Sequence, residues 1–313
     1  MLRMFAAVLA ATALLAAPAQ ASQVISIDVG GEPASIAVNP ATGLAYVSDP
    51  STGAITVIDS RRATISAIIP IGGNPAGIAV DSTTNRVYVA NPANGTVAVV
   101  DAGNNVVVST ISTGEGTASV GVDEAANKIY AGSRTTGAVS VIDGVSATQL
   151  TLVPGKVKSL TGITVDAGRK LVSFASTATD SVEVFDAVTN TFIASAPVGS
   201  KPVGVAVHRA SGTIYVANSG IHHMSLVDSN SKTERKTILL RSEASSVAVH
   251  EGSNTIYTNG GPNGIVKLDG LSGALAGELP LGINPGDIAV DQKTKWVYVS
   301  DPLHGRVSLI KDF

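Results

Sequence analysis

The chain contains no cysteine. Disulfides, Cys-ligated zinc or iron–sulfur clusters, thiol nucleophiles and a CxxCH haem attachment are therefore excluded. Charge is scarce as well. Only 14% of the 313 residues are Asp, Glu, Lys or Arg, and the formal net charge is −3, a low charged fraction for a soluble protein. Without the segment that carries Arg3, 20 basic and 24 acidic residues remain, a net charge of −4. Aromatic residues make up 4%. A strand-tracking nucleic-acid site needs stacking platforms and a cationic groove, so nucleic acid is not expected as a partner. The sequence has no phosphate-binding Gly loop, no G-x-S-x-G elbow and no HExxH pair. Past the N-terminus no apolar run is long enough to span a bilayer.

The N-terminus itself is informative. Met1-Leu2-Arg3 is a short positive start, Met4 to Ala17 is apolar and rich in Ala and Leu, and Ala19-Gln20-Ala21 is an A-x-A cleavage site before Ser22. This pattern predicts a secretory signal peptide over 1–21 and a periplasmic or extracellular product. No cysteine follows the apolar run, so a lipoprotein anchor is excluded. The rest of the chain has the material for a core: hydrophobic residues make up 44%, and 32 glycines point to many tight turns.

One repeat dominates the sequence. A short apolar strand recurs as Ile36-Ala37-Val38, Ile78-Ala79-Val80, Val120-Gly121-Val122, Ile163-Thr164-Val165, Val205-Ala206-Val207, Val247-Ala248-Val249 and Ile288-Ala289-Val290, at spacings of 42, 42, 43, 42, 42 and 41. Eight residues past each final Val stands Tyr46, Tyr88, Tyr130, Ser173, Tyr215, Tyr257 or Tyr298. A further strand ends in Asp59, Asp101, Asp143, Asp186, Asp228 or Asp269, and in Lys311 at the last copy. Each unit reads as four short strands, a to d, separated by Gly, Asn, Asp and Pro turns. Four strands in about 42 residues is the signature of a propeller blade, and the repeat predicts an all-β, seven-bladed β-propeller over 22–313. The seventh unit stops after its third strand, while a spare strand, Val24 to Val29, precedes the first. That spare strand is followed by Gly30-Gly31-Glu32-Pro33, much as the first unit's d strand is followed by Gly72-Gly73-Asn74-Pro75. The spare strand is thus expected to complete the last blade and close the ring, which removes strand edges that invite aggregation.

The stretch Gly73 to Val80, then Tyr88-Val89-Ala90-Asn91, then Val99-Val100-Asp101 resembles the YVTN-type propeller repeat, and the resemblance extends over essentially all of 22–313. It implies a rigid toroid. It does not select a function, because similar repeats occur in YncE-like periplasmic proteins, surface-layer repeats, lactonase-type propellers and propellers that handle haem d1 intermediates.

A residue type found in most blades serves the blade; a residue that breaks the pattern is free to serve a site. The strand-end Asp and the Tyr are scaffold by this criterion, the Asp as an acceptor in an Asx-turn and the Tyr as filler between blades. His208 and His250 fall in the a–b turn slot, where other blades have Asn39, Asp81, Asp123, Asp166 and Asp291, and read as turn residues. Seven residues beyond the Tyr position stand Gly53, Gly95, Gly137, Asp180, His222, Gly264 and Gly305. That slot suggests positive φ, which gives His222 a plain role as a turn filler; Asn263 is the other match in the sixth unit. The b–c and d–a loops of a propeller share a face around the channel mouth, where ligands usually bind. On that face the fourth to sixth blades concentrate Lys158, Lys201, His222, His223, Arg241 and Glu243. These are the candidate ligand-binding residues, and they suit an anionic ligand; an ordinary solvated rim is the plainer account. His222 and His223 are adjacent, so on a strand they point to opposite faces and chelate poorly together. No metal ligand set and no catalytic residue is identified, and no cofactor is named. The expected function is an exported, monomeric binding or interaction module. The alternative is an enzyme: a lactonase-like hydrolase, or a tetrapyrrole-handling propeller with His222 or His223 as axial ligand.

Overall fold

The computed structural model describes residues 22–311 and 313. The segment read as a signal peptide, 1–21, lies outside the described residues. Within them, 28 strands form seven four-stranded antiparallel sheets. Strand β1 (Gln23–Asp28) comes first. Blade one follows, with β2 (Ile36–Asn39), β3 (Leu44–Asp49), β4 (Ala54–Asp59) and β5 (Thr64–Pro70). Strands β6 to β25 repeat this order through blades two to six. Blade seven contains β26 (Ile288–Val290), β27 (Val297–Asp301) and β28 (Arg306–Lys311), and β1 pairs with β28 as its outer strand, Val24 opposite Ile310 and Ile27 opposite Val307. Each innermost strand touches the innermost strands of its two neighbours, and β26 touches β2. The ring is closed as the repeat predicts.

The sequence alternation explains how the blades stack. Successive strand side chains point to opposite faces, so each blade buries one row against each neighbour. Tyr46, Ile55 and Val57 of blade one pack with Ile78, Val87 and Val89 of blade two. At the seam Ile27, Val307 and Leu309 pack against Ile36, Ala45 and Val47. Burying each such side chain contributes about 1.5–3 kcal/mol, and a single blade has no partner for either row. Tyr46, Tyr88, Tyr130, Tyr215 and Tyr298 are among the largest fully buried side chains. Desolvation pushes the phenols of Tyr46, Tyr130, Tyr215 and Tyr298 up to about 12. Tyr215 donates its hydroxyl to the Gly270 carbonyl at 2.8 Å, bracing the next blade.

Blade four breaks the Tyr rule and carries an aromatic cluster on its other face. Ser173 lies on the face turned to blade five, with Leu171, Ala175 and Val184, while Phe174, Phe185 and Phe192 cluster on the opposite face, toward blade three, with ring centroids 5.3–6.5 Å apart. Phe185 also meets Tyr130 of blade three edge-on at 6.1 Å. Such pairs add about 0.5–1.5 kcal/mol beyond area burial.

The turns confirm the scaffold reading. The strand-end Asp59 accepts the backbone N–H groups of Arg61 and Arg62, and Asp143, Asp186 and Asp228 accept the same pair of amides in their own blades. His208 and His250 also belong to turns. Each is buried, with Nδ1 against the hydroxyl of Ser211 or Ser253, and Nε2 facing the Glu251 or Gln292 carbonyl of the next blade.

Candidate functional site

The b–c and d–a loops meet on one face. In each blade the d strand runs out beside the b–c turn: Gly72 donates to the Gly53 carbonyl, Val198 to Asp180 and Leu240 to His222. The turn slot is left-handed at Gly53 (φ 66°), Asp180 (φ 49°) and Asn263 (φ 57°), so Asn263, not Gly264, is the match in blade six. His222 does not adopt this conformation. Its carbonyl makes the shared bond, but the expected positive-φ turn role is not its role.

Two hollows flank the channel mouth on this face. One, of 590 Å³, draws His222, Glu243, Asn259, Asn263 and Asn284 from blades five to seven. The other, of 620 Å³, lies over blades one to three and includes Asn74, Glu115 and Arg134. The structure thus brings together His222 and Glu243, both exposed. The remaining candidates stand outside that hollow. Arg241 is ion-paired with Glu278 at 3.1 Å. Lys201 has a left-handed backbone (φ 51°) tied through its amide to Asp180 at 2.7 Å. The Lys158 carbonyl accepts the Ser176 hydroxyl. The His223 ring lies over Gly199, whose Cβ would fall 2.8 Å from Nε2. The six residues are a rim, not a single pocket. His304 adds an imidazole to this face, held by Asp301 at 2.8 Å.

Below the mouth, a channel of 290 Å³ runs between the innermost strands of all seven blades. The residue just before each recurring Ile or Val faces it. In blades one, three and six it is Ser35, Ser119 or Ser246; in blades two, four and five it is Gly77, Gly162 or Gly204; in blade seven it is Asp287. The glycines allow close approach: a Cβ on Gly77 would meet the Ala118 carbonyl oxygen at 2.6 Å, and Gly77 donates its own N–H to that oxygen. The side chains elsewhere make equivalent ties. Ser246 Oγ accepts the amide of Ile288, and Asp287 Oδ2 accepts the amide of Ile36, each at 2.9 Å. Asp287 also accepts the hydroxyls of Ser35 (3.2 Å) and Ser246 (2.7 Å). It is partly buried and lines both the channel and its mouth. Desolvation therefore pushes its carboxyl up, against these hydrogen bonds.

Sequence reasoning missed Asp287. The signal was there, because Ser, Gly, Ser, Gly, Gly, Ser, Asp is a slot with one pattern-breaking member. Attention to loops passed over a position at the start of a strand.

A channel mouth of 360 Å³ connects the two levels, and Arg134 and Asp287 both line it. Among the described residues no group of three or more His, Asp or Glu side chains could hold a metal ion, so the converging set that a lactonase-type metal site requires is not assembled there. No helix is long and apolar enough to cross a membrane among these residues.

No family model matches the sequence, and no curated protein matches it. Among solved structures, a chain of hydrazine synthase from Kuenenia stuttgartiensis is similar in fold, with a TM-score of 0.77 over 92% of this chain and 97% of that one, at 15% identity. At that identity the likeness shows the propeller fold alone.

Proposed function

We propose that this chain is an exported β-propeller of the YVTN-repeat kind that acts as a binding module, taking its ligand on the face formed by the b–c and d–a loops. The observation that carries this reading is convergence. Each of the two hollows is lined by side chains from three different blades, and they flank a mouth leading to the channel. A rigid ring holds these loops in fixed relation, which is what a preformed site needs. A small molecule is the favoured ligand, since the mouth and hollows are concave and of small-molecule size.

The test is a thermal-shift screen of the purified chain against organic acids, amino acids, sugars and nucleotides. The same screen is run on His222→Ala, on Arg134→Ala and on the opposite-face control Asp143→Ala. A hit that stabilises the parent and the control but not one of the loop-face variants supports the reading. Hits that respond only to the control would overturn it. The enzyme alternative is addressed by titrating haemin into the same protein. A Soret shift lost in His222→Ala would turn the reading toward a tetrapyrrole, because His222 is the imidazole that opens into the 590 Å³ hollow.

A further inference from the structure

We infer that the channel mouth binds a small zwitterion, with the ligand's ammonium on Asp287 and its carboxylate on Arg134. This rests on the reading of the loop face as the binding face, and adds the chemical class of the ligand.

Ser246 and Asp287 occupy one slot and make one structural bond each, to the first strand amide of the next blade at 2.9 Å. A hydroxyl is therefore sufficient for the scaffold. Blade seven uses a carboxylate there, and so places an ionisable, partly buried group on the wall of the channel mouth. Even partial burial of a charge is costly unless it is paired. The described residues offer it three hydrogen bonds, from Ser35, Ile36 and Ser246, and no ion pair. A carboxylate has about four acceptor sites, so one direction remains for a cation from outside.

Arg134 reaches the same cavity from blade three. Its amide donates to the Gly116 carbonyl at 2.8 Å, and its own carbonyl accepts from Ser159 at 2.9 Å. The backbone is fixed by loops on both sides, yet among the described residues the guanidinium has no hydrogen bond or ion pair. Glu115 lines the adjoining hollow with it and does not pair with it. A free guanidinium presents a planar fork suited to a carboxylate.

The two charges share one cavity of 360 Å³. They come from blades three and seven, on nearly opposite sides of the ring, so the ligand's charges must be separated along its length. A dianion would set a negative group against Asp287. A divalent metal ion would find one carboxylate and a guanidinium in the same cavity. A neutral sugar would leave both charges unmatched. A molecule with an ammonium at one end and a carboxylate at the other matches both, and the volume, at the small end of ligand sites, suits an amino acid or a short peptide.

The experiment is calorimetric titration of the full chain with glycine, Ala-Ala, Ala-Ala-Ala and 5-aminopentanoate, which space the two charges differently. The best of these is then compared with its N-acetylated and C-amidated forms. We expect binding by at least one zwitterion, and a loss of about tenfold or more on capping either end. Asp287→Ser installs the residue that blade six uses, so the fold is kept; it and Arg134→Ala should each lose binding with an unchanged far-ultraviolet spectrum. No heat from any of the four would overturn the inference, as would binding that survives both caps. If all four fail while another hit from the screen is lost in Arg134→Ala, the zwitterion is wrong and the binding face stands. If every hit ignores the loop-face variants, both fail.

Discussion

The two faces of the ring solve similar problems in different ways. On the face of the a–b and c–d turns, one device recurs: a carboxylate accepts two amides further along its own turn, as at Asp81, Asp59 and Asp186. On the other face the tie between neighbouring loops changes chemistry from blade to blade. Asp49 accepts the Glu32 amide, Asn91 donates to the Gly72 carbonyl, Ser133 to Glu115, and Asn259 to Pro285 and Gly286. Where several residue types can make a tie, the choice among them is free to serve something else. Ser246 and Asp287 are the sharpest instance, since one bond is made by two side chains that differ by a charge.

The largest expected effect breaks the uniform part of the comparison. Phe185 anchors the aromatic cluster between blades three and four, and it is fully buried. Phe185→Ala should destabilise the protein by about 3–5 kcal/mol. Ser173→Tyr, which restores the repeat on the opposite face, inserts a ring at a buried position against Val205, Ile214 and Val216 of blade five and should overpack that interface at a cost of about 1–3 kcal/mol. Chemical denaturation of both variants checks this; a neutral Ser173→Tyr would show that the space is open rather than filled. Next in size is the turn device. Asp81 is buried and accepts the amides of Thr83 and Thr84 and the hydroxyl of Thr83, so Asp81→Ala should cost about 1.5–3 kcal/mol. Asp101 makes the same kind of turn at an exposed edge, and Asp101→Ala should lower the melting temperature less than Asp81→Ala, with ligand binding untouched. An equal or larger drop at Asp101 would mean that burial does not set the worth of the turn.

Much of the scaffold was legible because it is written seven times. A period near 42 fixed blade number, the spare strand at Val24 predicted the closure seen opposite Ile310, and the repeated Asp predicted the turns. The site was legible only in part. Period tells which residues are equivalent, not which ones meet across the ring. His222 and Glu243 share a hollow, while Lys158 and Lys201 stand outside it, and nothing in their spacing distinguishes these cases. Arg134 and Asp287 are far apart in sequence and meet in one cavity through ring closure. His222 misled for a local reason: it sits in a glycine slot by alignment, but blade five turns differently there.

The smallest expected effect sharpens the comparison most, because it sets the two kinds of carboxylate against each other. At Asp143, Asp186 and Asp228 the amides of Ser146, Thr189 and Ser231 are the largest influence, and they hold the carboxyls below the ordinary value of 3.8. A group whose folded pKa is depressed stabilises the fold above its unfolded value, and that stability is lost as pH falls through the folded one. These turns should weaken together only in acid, below about pH 4. Asp287 has the opposite sign. Burial raises its carboxyl above 3.8, so the folded state holds a proton that the unfolded chain has released. Its ionisation therefore begins to cost stability as pH rises past 3.8, and the cost is complete once pH exceeds the raised value. Asp287→Ser removes that cost and keeps a hydroxyl in the slot. The melting temperature of the variant, relative to the parent, should become more favourable between pH 4 and neutrality, while the same difference for Asp186→Ala should worsen as pH rises from acid to 4 and then stay flat. Parallel melts across that range measure both differences. A difference for Asp287→Ser that does not change with pH would mean that the channel solvates its carboxylate as well as bulk water does, and the case for an external cation partner would lose its physical basis.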